Sequence, residues 1–443
     1  MDRRDFLKGL GLGAAALGLG GCKSTSEHSS TAARNGSYAS RTVPENMDGV
    51  GLLGFGCMRW PMNEESGEID QEAVNTMVDE AMAHGVNYFD SAPVYLGGKS
   101  EEATATALRR HPRESYYIAT KCSLFRGTPT FEAGESMYRR SLEIYGTDHI
   151  DYYLLHSVGD YESFKAKYME TGLIDFFLRE REAGHIRHLG FSCHGTRDGF
   201  DQMIALHERY HWDFVQIQMN YRDWRYAERG ATAGYMYGVL ESKGIPVVIM
   251  EPLLGGRLAD IPASLADKLK EREPSQSIAS WAFRFCGSFK GVLTVLSGMT
   301  CMEHLQDNLR TFTDLKTLNE EEFALLDEIA LLLSKYPLIN CTGCEYCMPC
   351  PYGVNIPGVF KFYNDRVNEG TYITDSAQEG YARAKRRYLL KYDKAVASLS
   401  QAAHCIGCNH CASVCPQHIK ISKEMRRIDT YIERLRRDTL KEG

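Results

Sequence analysis

The stretch Tyr88-Phe89-Asp90-Ser91-Ala92-Pro93-Val94-Tyr95 places a carboxylate and a phenol at the predicted end of a strand. The run 85–89 is short, apolar and rich in β-forming residues, and it follows a helical stretch at 71–84. Pro93 ends the strand, so we expect Tyr95 in the loop that follows. The acid and the phenol would therefore lie together at the carboxyl end of a strand.

Two later strands also end on ionisable residues, because the run 116–121 closes on Lys121 and the run 150–156 closes on His156. Strands are predicted near residues 50–56, 86–91, 116–121, 151–156, 187–192, 213–219, 246–251 and 292–297, with helical stretches between them. Eight such units predict an α/β fold, a (β/α)8 TIM barrel, whose catalytic groups lie at the carboxyl ends of the strands. A doubly wound sheet would fit the alternation, but no Gly-rich turn follows the first strand.

The order and spacing of Asp90, Tyr95, Lys121 and His156 resemble the catalytic tetrad of the aldo-keto reductases. The run 98–102, Gly-Lys-Ser-Glu-Glu, is similar to a signature of the same family. The resemblance covers roughly residues 47–316. It implies an oxidoreductase that interconverts a carbonyl and an alcohol by hydride transfer with NAD or NADP.

Elementary chemistry gives each member of the tetrad a role. Carbonyl reduction requires a proton donor, and a phenol with an ordinary pKa near 10 is a poor one at neutral pH. We expect Lys121 to lower the pKa of Tyr95, and Asp90 to pair with Lys121 and fix its position. His156 would donate a hydrogen bond to the carbonyl oxygen. The alternative is a purely structural ion pair with Tyr95 and His156 packed beside it.

The resemblance also implies a set of dinucleotide contacts. They are Ser192 and Gln216 for the nicotinamide carboxamide, Pro252, Leu253 and Gly255 along the pyrophosphate, and Gly298, Met299 and Asn308 at the adenosine end. The sequence departs from the family at Met250, where many members stack an aromatic ring. The stretch 297–306 has no Lys or Arg and only His304, so the choice between NAD and NADP stays open. These residues could instead be ordinary loop and core positions.

Cysteines fall into two classes. Cys57, Cys122 and Cys193 stand at predicted strand ends, and we expect them to be buried core residues, because neighbours on a strand point to opposite faces. Eight of the fourteen cysteines form two closely spaced runs: Cys341, Cys344, Cys347 and Cys350, then Cys405, Cys408, Cys411 and Cys415. Each run ends in proline, and two-residue gaps suit thiolates that bind one metal cluster.

The two runs resemble the ferredoxin motif for two [4Fe–4S] clusters. The resemblance implies that Cys341, Cys344, Cys347 and Cys415 hold one cluster and that Cys405, Cys408, Cys411 and Cys350 hold the other. Two zinc sites or disulfides are the alternatives. A basic, helix-like stretch at 381–394 separates the runs and predicts a small, mainly helical ferredoxin-like domain at 338–443, ending in a helix, behind a helical connector at 317–337. Its basic face is a solvated helix surface or a docking site for an acidic electron partner.

The amino terminus predicts export and lipidation. Residues 1–22 begin Met-Asp-Arg-Arg-Asp-Phe-Leu-Lys, which resembles a twin-arginine signal, and end in Leu-Gly-Gly-Cys, which resembles a lipobox with Cys22 as the lipidated residue. Residues 23–46 predict a flexible tether. The protein would be lipid-anchored in the cell envelope, on the periplasmic or outer-surface side. An uncleaved interfacial anchor and a cytoplasmic protein are the alternatives.

These features together predict an exported oxidoreductase of aldo-keto reductase type, acting on a small carbonyl or alcohol and coupled to iron–sulfur electron transfer. The alternative is a non-catalytic barrel in a tethered electron-transfer protein, because a nicotinamide coenzyme is not freely supplied outside the cytoplasm. The net charge of −7 and the absence of a basic stripe in the barrel region argue against nucleic acid as a partner.

Overall fold

The structure is a computed structural model that describes residues 49–125, 127–227 and 231–440. The predicted signal, Cys22 and the tether lie outside the described residues.

Eight parallel strands close into a barrel in the order of the chain, with β1 paired to β8. The strands are β1 (Leu53–Gly56), β2 (Tyr88–Asp90), β3 (Tyr117–Cys122), β4 (Ile150–Leu155), β5 (Ile186–Cys193), β6 (Phe214–Gln218), β7 (Val247–Met250) and β8 (Val292–Ser297). Most of their residues are buried, as expected of parallel strands that are covered on both faces. The predicted (β/α)8 barrel is confirmed.

Helices surround the barrel; they lie between successive strands and, for the last two, after β8. They are Gln71–Ala83, Ser100–Leu108, Phe131–Tyr145, Tyr161–Phe164, Leu173–Glu182, Arg197–Ala205, His207–Tyr210, Asp223–Tyr226, Ala233–Ser242, Ala263–Arg272, Ile278–Gly287, Met302–Thr313 and Glu320–Leu333. Several begin at a side-chain cap; Thr130, for example, accepts a hydrogen bond from the backbone N–H of Ala133. Such caps satisfy amide groups that the first turn leaves unpaired.

Successive side chains on each strand point alternately into the barrel and out toward the helices, which gives an inner and an outer core. Tyr88, Tyr152 and Phe214 fill the interior of the barrel, whereas Phe89 and Cys122 pack outward against the helices. This period of two sends Asp90 and Lys121 inward at the strand ends and turns Cys122 away from them.

The helix Glu320–Leu333 belongs to the barrel's outer core, where Phe323 and Leu326 are buried. Its first turn is fixed by a capping box of Asn319 and Glu322. Arg284 Nη2 donates to Glu322 Oε1 at 2.7 Å in a buried ion pair. The stretch predicted as a connector is thus packed on the barrel.

The carboxyl-terminal part has its own core, in which Phe360, Tyr392 and Met425 are buried. Its helices are Ile356–Asn368, Tyr381–Ala395, His410–Ser413 and Ile421–Leu440. The helix predicted from the basic stretch 381–394 is therefore present. Among the residues the structure describes, none of the helices is both long enough and apolar enough to span a membrane.

This second unit lies over the carboxyl ends of the barrel strands. Arg257 Nη1, after β7, donates to Asn340 Oδ1 at 2.6 Å. Gln417 Nε2 donates to Gln218 Oε1, at the end of β6, at 2.9 Å. The cysteine-rich unit therefore covers the face on which a barrel of this kind carries its catalytic groups.

Candidate active site

Four side chains meet at the carboxyl ends of β2, β3 and β4. Lys121 Nζ donates to Asp90 Oδ1 at 2.6 Å and to the carbonyl oxygen of Ser91 at 2.7 Å. The Lys121 and Asp90 side chains are 0% and 4% exposed. Lys121 Nζ lies 5.1 Å from the centroid of the Tyr95 ring, and the Tyr95 and His156 rings are nearly perpendicular with 5.8 Å between centroids. The structure thus brings all four predicted catalytic residues together.

The electrostatics of Tyr95 differ from the expectation. Burial raises the pKa of Tyr95 well above its ordinary value, and Tyr346 and Asp90 raise it further. The predicted lowering by Lys121 is therefore wrong for this state of the protein. The physical reason is that desolvation of a phenolate outweighs a cation that lies over the ring. Tyr95 is accordingly a protonated phenol.

The carboxyl group of Asp90 is subject to two opposed influences. Burial raises the pKa of Asp90, and the charge and hydrogen bond of Lys121 act to lower it, with burial the larger effect. Removing the lysine would therefore leave a carboxylate with little to offset its desolvation.

His156 is held neutral and oriented. Burial, followed by the charge of Lys121, lowers the pKa of His156 well below its ordinary value. His156 Nδ1 lies 2.6 Å from Ser123 Oγ, so a proton donated by this hydroxyl leaves the ring proton on Nε2. The Nε2 atom then points a donor into the site.

Three residues of the site were not foreseen from the sequence. Ser123 holds His156, and Phe125 packs on the His156 ring with 4.7 Å between centroids. Ser123 lies two positions beyond Lys121 on the same face, and that periodicity could have revealed it. Tyr346 lies between two cysteines of the first run, and its hydroxyl is 3.4 Å from His156 Nε2. No local signal pointed to Tyr346.

The nicotinamide end of the implied dinucleotide site fits such a ligand. Gln216 is buried at β6, and its Oε1 atom has no hydrogen-bond partner. Ser192 Oγ accepts a hydrogen bond from the backbone N–H of Ser157 at 2.7 Å, so its own hydroxyl proton stays available to donate. An amide donor such as a carboxamide would satisfy Gln216, because a buried carbonyl without a partner is costly. Met250 ends β7 close by and is 9% exposed.

The rest of that site is covered. Pro252, Leu253 and Gly255 follow β7 as predicted, but a Cβ on Gly255 would collide with the backbone of Thr342. Arg59 donates to the carbonyl oxygen of Thr342, and at 3.2 Å to that of Gly343. Residues from the cysteine-rich unit therefore lie against the loop that was predicted to follow the pyrophosphate.

At the adenosine end, the predicted residues are mostly enclosed. Asn308 Nδ2 donates to Ser297 Oγ at 2.8 Å, and the Met299 side chain is fully buried in the core. Neither side chain is therefore exposed to receive a nucleotide in this arrangement. Gly298 lies against the Arg59 side chain, which supplies a cation that the sequence pattern of 297–306 did not reveal.

Cys57, Cys122 and Cys193 are fully buried core residues, as predicted. Burial raises the pKa of the Cys122 thiol to about 12 and that of Cys193 to about 11. Neutral thiols in apolar surroundings are unreactive.

The eight cysteines of the two closely spaced runs fall into two neighbouring groups. The pKa of Cys347 is raised first by burial, then by the charges of Cys344, Cys341 and Cys415, and last by that of Cys411 from the other group. The pKa of Cys411 is raised by burial and then by Cys405, Cys408 and Cys350. Cys350, Cys405, Cys408 and Cys411 also line one cavity beside Ile356 and Met425. Eight thiols grouped in this way suit two clusters in which each cysteine run supplies the fourth ligand of the other cluster. Among the described residues, no group of three His, Cys, Asp or Glu side chains is arranged to hold a single metal ion.

Comparisons with known proteins agree with this division of the chain. Residues 52–331 match the aldo/keto reductase family, residues 340–420 match a 4Fe-4S dicluster domain, and residues 1–20 match a TAT (twin-arginine translocation) pathway signal sequence. The last match supports export by the twin-arginine route.

Curated relatives align with the barrel part. The L-galactose dehydrogenase of Arabidopsis thaliana is 25% identical over 300 residues, which cover 64% of this chain and 91% of the relative. The NADH-specific methylglyoxal reductase of Escherichia coli (strain K12) is 22% identical over 341 residues, covering 67% of this chain and 100% of the relative. An aldo-keto reductase structure from Bacillus halodurans in its holo form superposes with a TM-score of 0.51 at 22% identity, covering 63% of this chain and 92% of that one.

Proposed function

This chain belongs to the aldo/keto reductase family of NAD(P)-dependent oxidoreductases, and we propose that it interconverts a carbonyl and an alcohol at the site formed by Asp90, Tyr95, Lys121 and His156. The observation that carries the proposal is the buried contact of 2.6 Å between Lys121 Nζ and Asp90 Oδ1, with Tyr95 and His156 beside it. Such an ion pair is costly to bury, and a purely structural role would not require a phenol and a neutral imidazole at the same rim.

The protonation state of each residue determines the role that we propose for it. Tyr95, held protonated by burial, donates its proton to the alkoxide that develops from the carbonyl. Lys121 stabilises the phenolate that remains, and Asp90 holds Lys121 in place. His156 Nε2 donates to the carbonyl oxygen and so orients it. A nicotinamide coenzyme, when bound, supplies or accepts the hydride. In alcohol oxidation the proton returns to Tyr95.

The substrate that we propose is a small polar carbonyl compound or the corresponding alcohol. One relative is named for the oxidation of a sugar and another for the reduction of a dicarbonyl compound. The two names give opposite directions, and both describe small oxygen-rich molecules. The direction of the reaction would follow from which form of the coenzyme, oxidised or reduced, is available in the compartment. The choice between NAD and NADP would depend on whether Arg59 binds a phosphate at the adenosine end.

We further propose that the exported protein is lipid-anchored through Cys22, on the periplasmic or outer-surface side, with residues 23–46 as its tether. We also propose that two [4Fe–4S] clusters are held by the two groups of cysteines and couple the barrel to electron transfer. The position of Tyr346, between the cluster cysteines Cys344 and Cys347 and in contact with His156, supports this coupling.

One observation favours a second candidate, a non-catalytic barrel within a tethered electron-transfer protein. The same contact that supports coupling also places the Tyr346 side chain in the place where a substrate would bind. A barrel that served only as a scaffold could keep this arrangement permanently.

The test is turnover of the anaerobically purified full chain with NADH and NADPH on a panel of small aldehydes, ketones, sugars and their alcohols. Tyr95→Phe should lower the rate by roughly 10²–10⁴-fold, the usual contribution of a general acid. The matched control is Tyr235→Phe, which removes a hydroxyl that bonds Asp201 on an outer helix. Equal rates for Tyr95→Phe and the wild type would favour the scaffold.

A further inference from the structure

Tyr346 occupies the position of a substrate oxygen. Its hydroxyl lies 3.4 Å from His156 Nε2, and the Tyr346 phenol is close enough to Tyr95 to raise the pKa of Tyr95. These are the two groups that would have to donate to a substrate carbonyl. The Tyr346 ring also packs on Phe125, with 5.4 Å between centroids, and so fills the space beside the catalytic imidazole. A substrate and this side chain cannot be bound together.

Thr342 and Gly343 occupy a second position on the same path. The backbone of Thr342 lies against Gly255, which leaves no room for even a methyl group there. The carbonyl oxygens of Thr342 and Gly343 accept hydrogen bonds from the Arg59 guanidinium. Neutral carbonyls are weaker partners for a guanidinium than the charged oxygens of a phosphate. A dinucleotide phosphate would therefore compete for Arg59.

From these contacts we propose that residues 342–346, the gate segment, bind over the dinucleotide path and the catalytic pocket, so that nucleotide and substrate enter only when this segment leaves. The catalytic face of the barrel is on this view also the docking surface for the cysteine-rich unit of the same chain. A nucleotide must then displace the gate segment, and its apparent affinity is reduced by the fraction of molecules that are closed.

Outside the gate segment, the cysteine-rich unit is joined to the barrel by polar contacts, which allow the two units to separate. The Gln218–Gln417 amide pair and the contact of His418 Nε2 with the carbonyl oxygen of His194, at 3.1 Å, join the two units beyond the catalytic pocket. Each unit keeps its own hydrophobic core. Interfaces held by hydrogen bonds rather than by a shared core are the kind that open while both units stay folded.

The experiment is hydrogen–deuterium exchange of the anaerobic, cluster-containing full chain, with and without saturating NADH or NADPH. We expect nucleotide to increase exchange in peptides covering 340–346 and 416–418. In parallel, nucleotide titrations of Tyr346→Ala should give an apparent dissociation constant that is lower by roughly tenfold or more, because the closed state loses its main contacts. Tyr352→Ala is the matched control, since Tyr352 is an exposed tyrosine two residues beyond the same cysteine run and lines the cavity of the other cysteine group, away from His156.

Iron content and visible absorbance must match those of the wild type for the comparison to count. If Tyr346→Ala loses iron, then Gln218→Ala, which changes only the barrel side, takes its place. Equal nucleotide affinity in wild type and variant, with unchanged exchange at 340–346, would overturn the gate. The gate would also be overturned if neither the wild type nor the variant bound nucleotide, because departure of the gate segment should expose the nucleotide site. The proposed catalytic role of Tyr95 stands or falls separately, on the turnover assay.

Discussion

Replacing Lys121 with methionine should destabilise the barrel strongly. The substitution removes the donor of two short hydrogen bonds, to Asp90 Oδ1 at 2.6 Å and to the Ser91 carbonyl at 2.7 Å, from a site where both members of the pair are buried. Deleting one partner of a buried ion pair costs about 3–5 kcal/mol, because the other charge is left without compensation. We expect Lys121→Met to lose this much of its free energy of unfolding at pH 7.

The pH dependence follows from the same pair. Burial already raises the pKa of Asp90 in the folded protein, and Lys121 opposes that rise. A carboxyl group whose pKa is higher in the folded than in the unfolded protein binds more protons in the folded state. Its contribution to the free energy of unfolding therefore falls as the pH rises from the unfolded pKa to the folded pKa. Removing Lys121 raises the folded pKa further. The deficit of Lys121→Met should therefore shrink as the pH is lowered toward 5.

Tryptophan fluorescence during urea titration is a suitable assay, because all four tryptophans, Trp60, Trp212, Trp224 and Trp281, lie in the barrel part of the chain. The matched control is Lys268→Met, which breaks an exposed pair with Glu328 at 3.0 Å and should cost less than about 1 kcal/mol. The double variant Lys121→Met/Asp90→Asn should recover part of the loss. A change in Lys121→Met no larger than that of the control, or no recovery in the double variant, would refute the reasoning.

Three further outcomes are expected. Ser123→Ala removes the hydroxyl 2.6 Å from His156 Nδ1 and should lower kcat/KM roughly tenfold with iron content unchanged, whereas an unaltered rate would show that the ring is oriented by other contacts. Cys408→Ser should remove about half of roughly eight irons and as many sulfides, and stoichiometric zinc in place of iron would contradict the two-cluster assignment. Cys22→Ala should release the protein from the membrane fraction, and persistence there after a mild salt wash would count against the lipid anchor.

Much of the fold and of the candidate active site could be predicted because the decisive signals are local. Alternating strand and helix patterns indicated the eight-stranded barrel, and the period of two along β3 placed Lys121 inward and Cys122 outward. The tetrad followed from residues at successive strand ends, since a parallel barrel brings those ends to one face. The cysteine spacing likewise indicated the cluster domain that the family comparison then confirmed.

The sequence alone therefore determined the barrel, the four candidate catalytic residues that meet at its rim and the presence of a cysteine-rich unit, because each depends on short-range periodicity and spacing. Only the tertiary structure decided how these parts meet. Tyr346 is 190 residues from His156 along the chain, and no local pattern specifies such a contact. The raised pKa of Tyr95 has the same origin, because desolvation depends on everything packed around the phenol, including Tyr346. Burial and long-range contact are properties of the folded molecule, which is why the covered state of the site became visible only there.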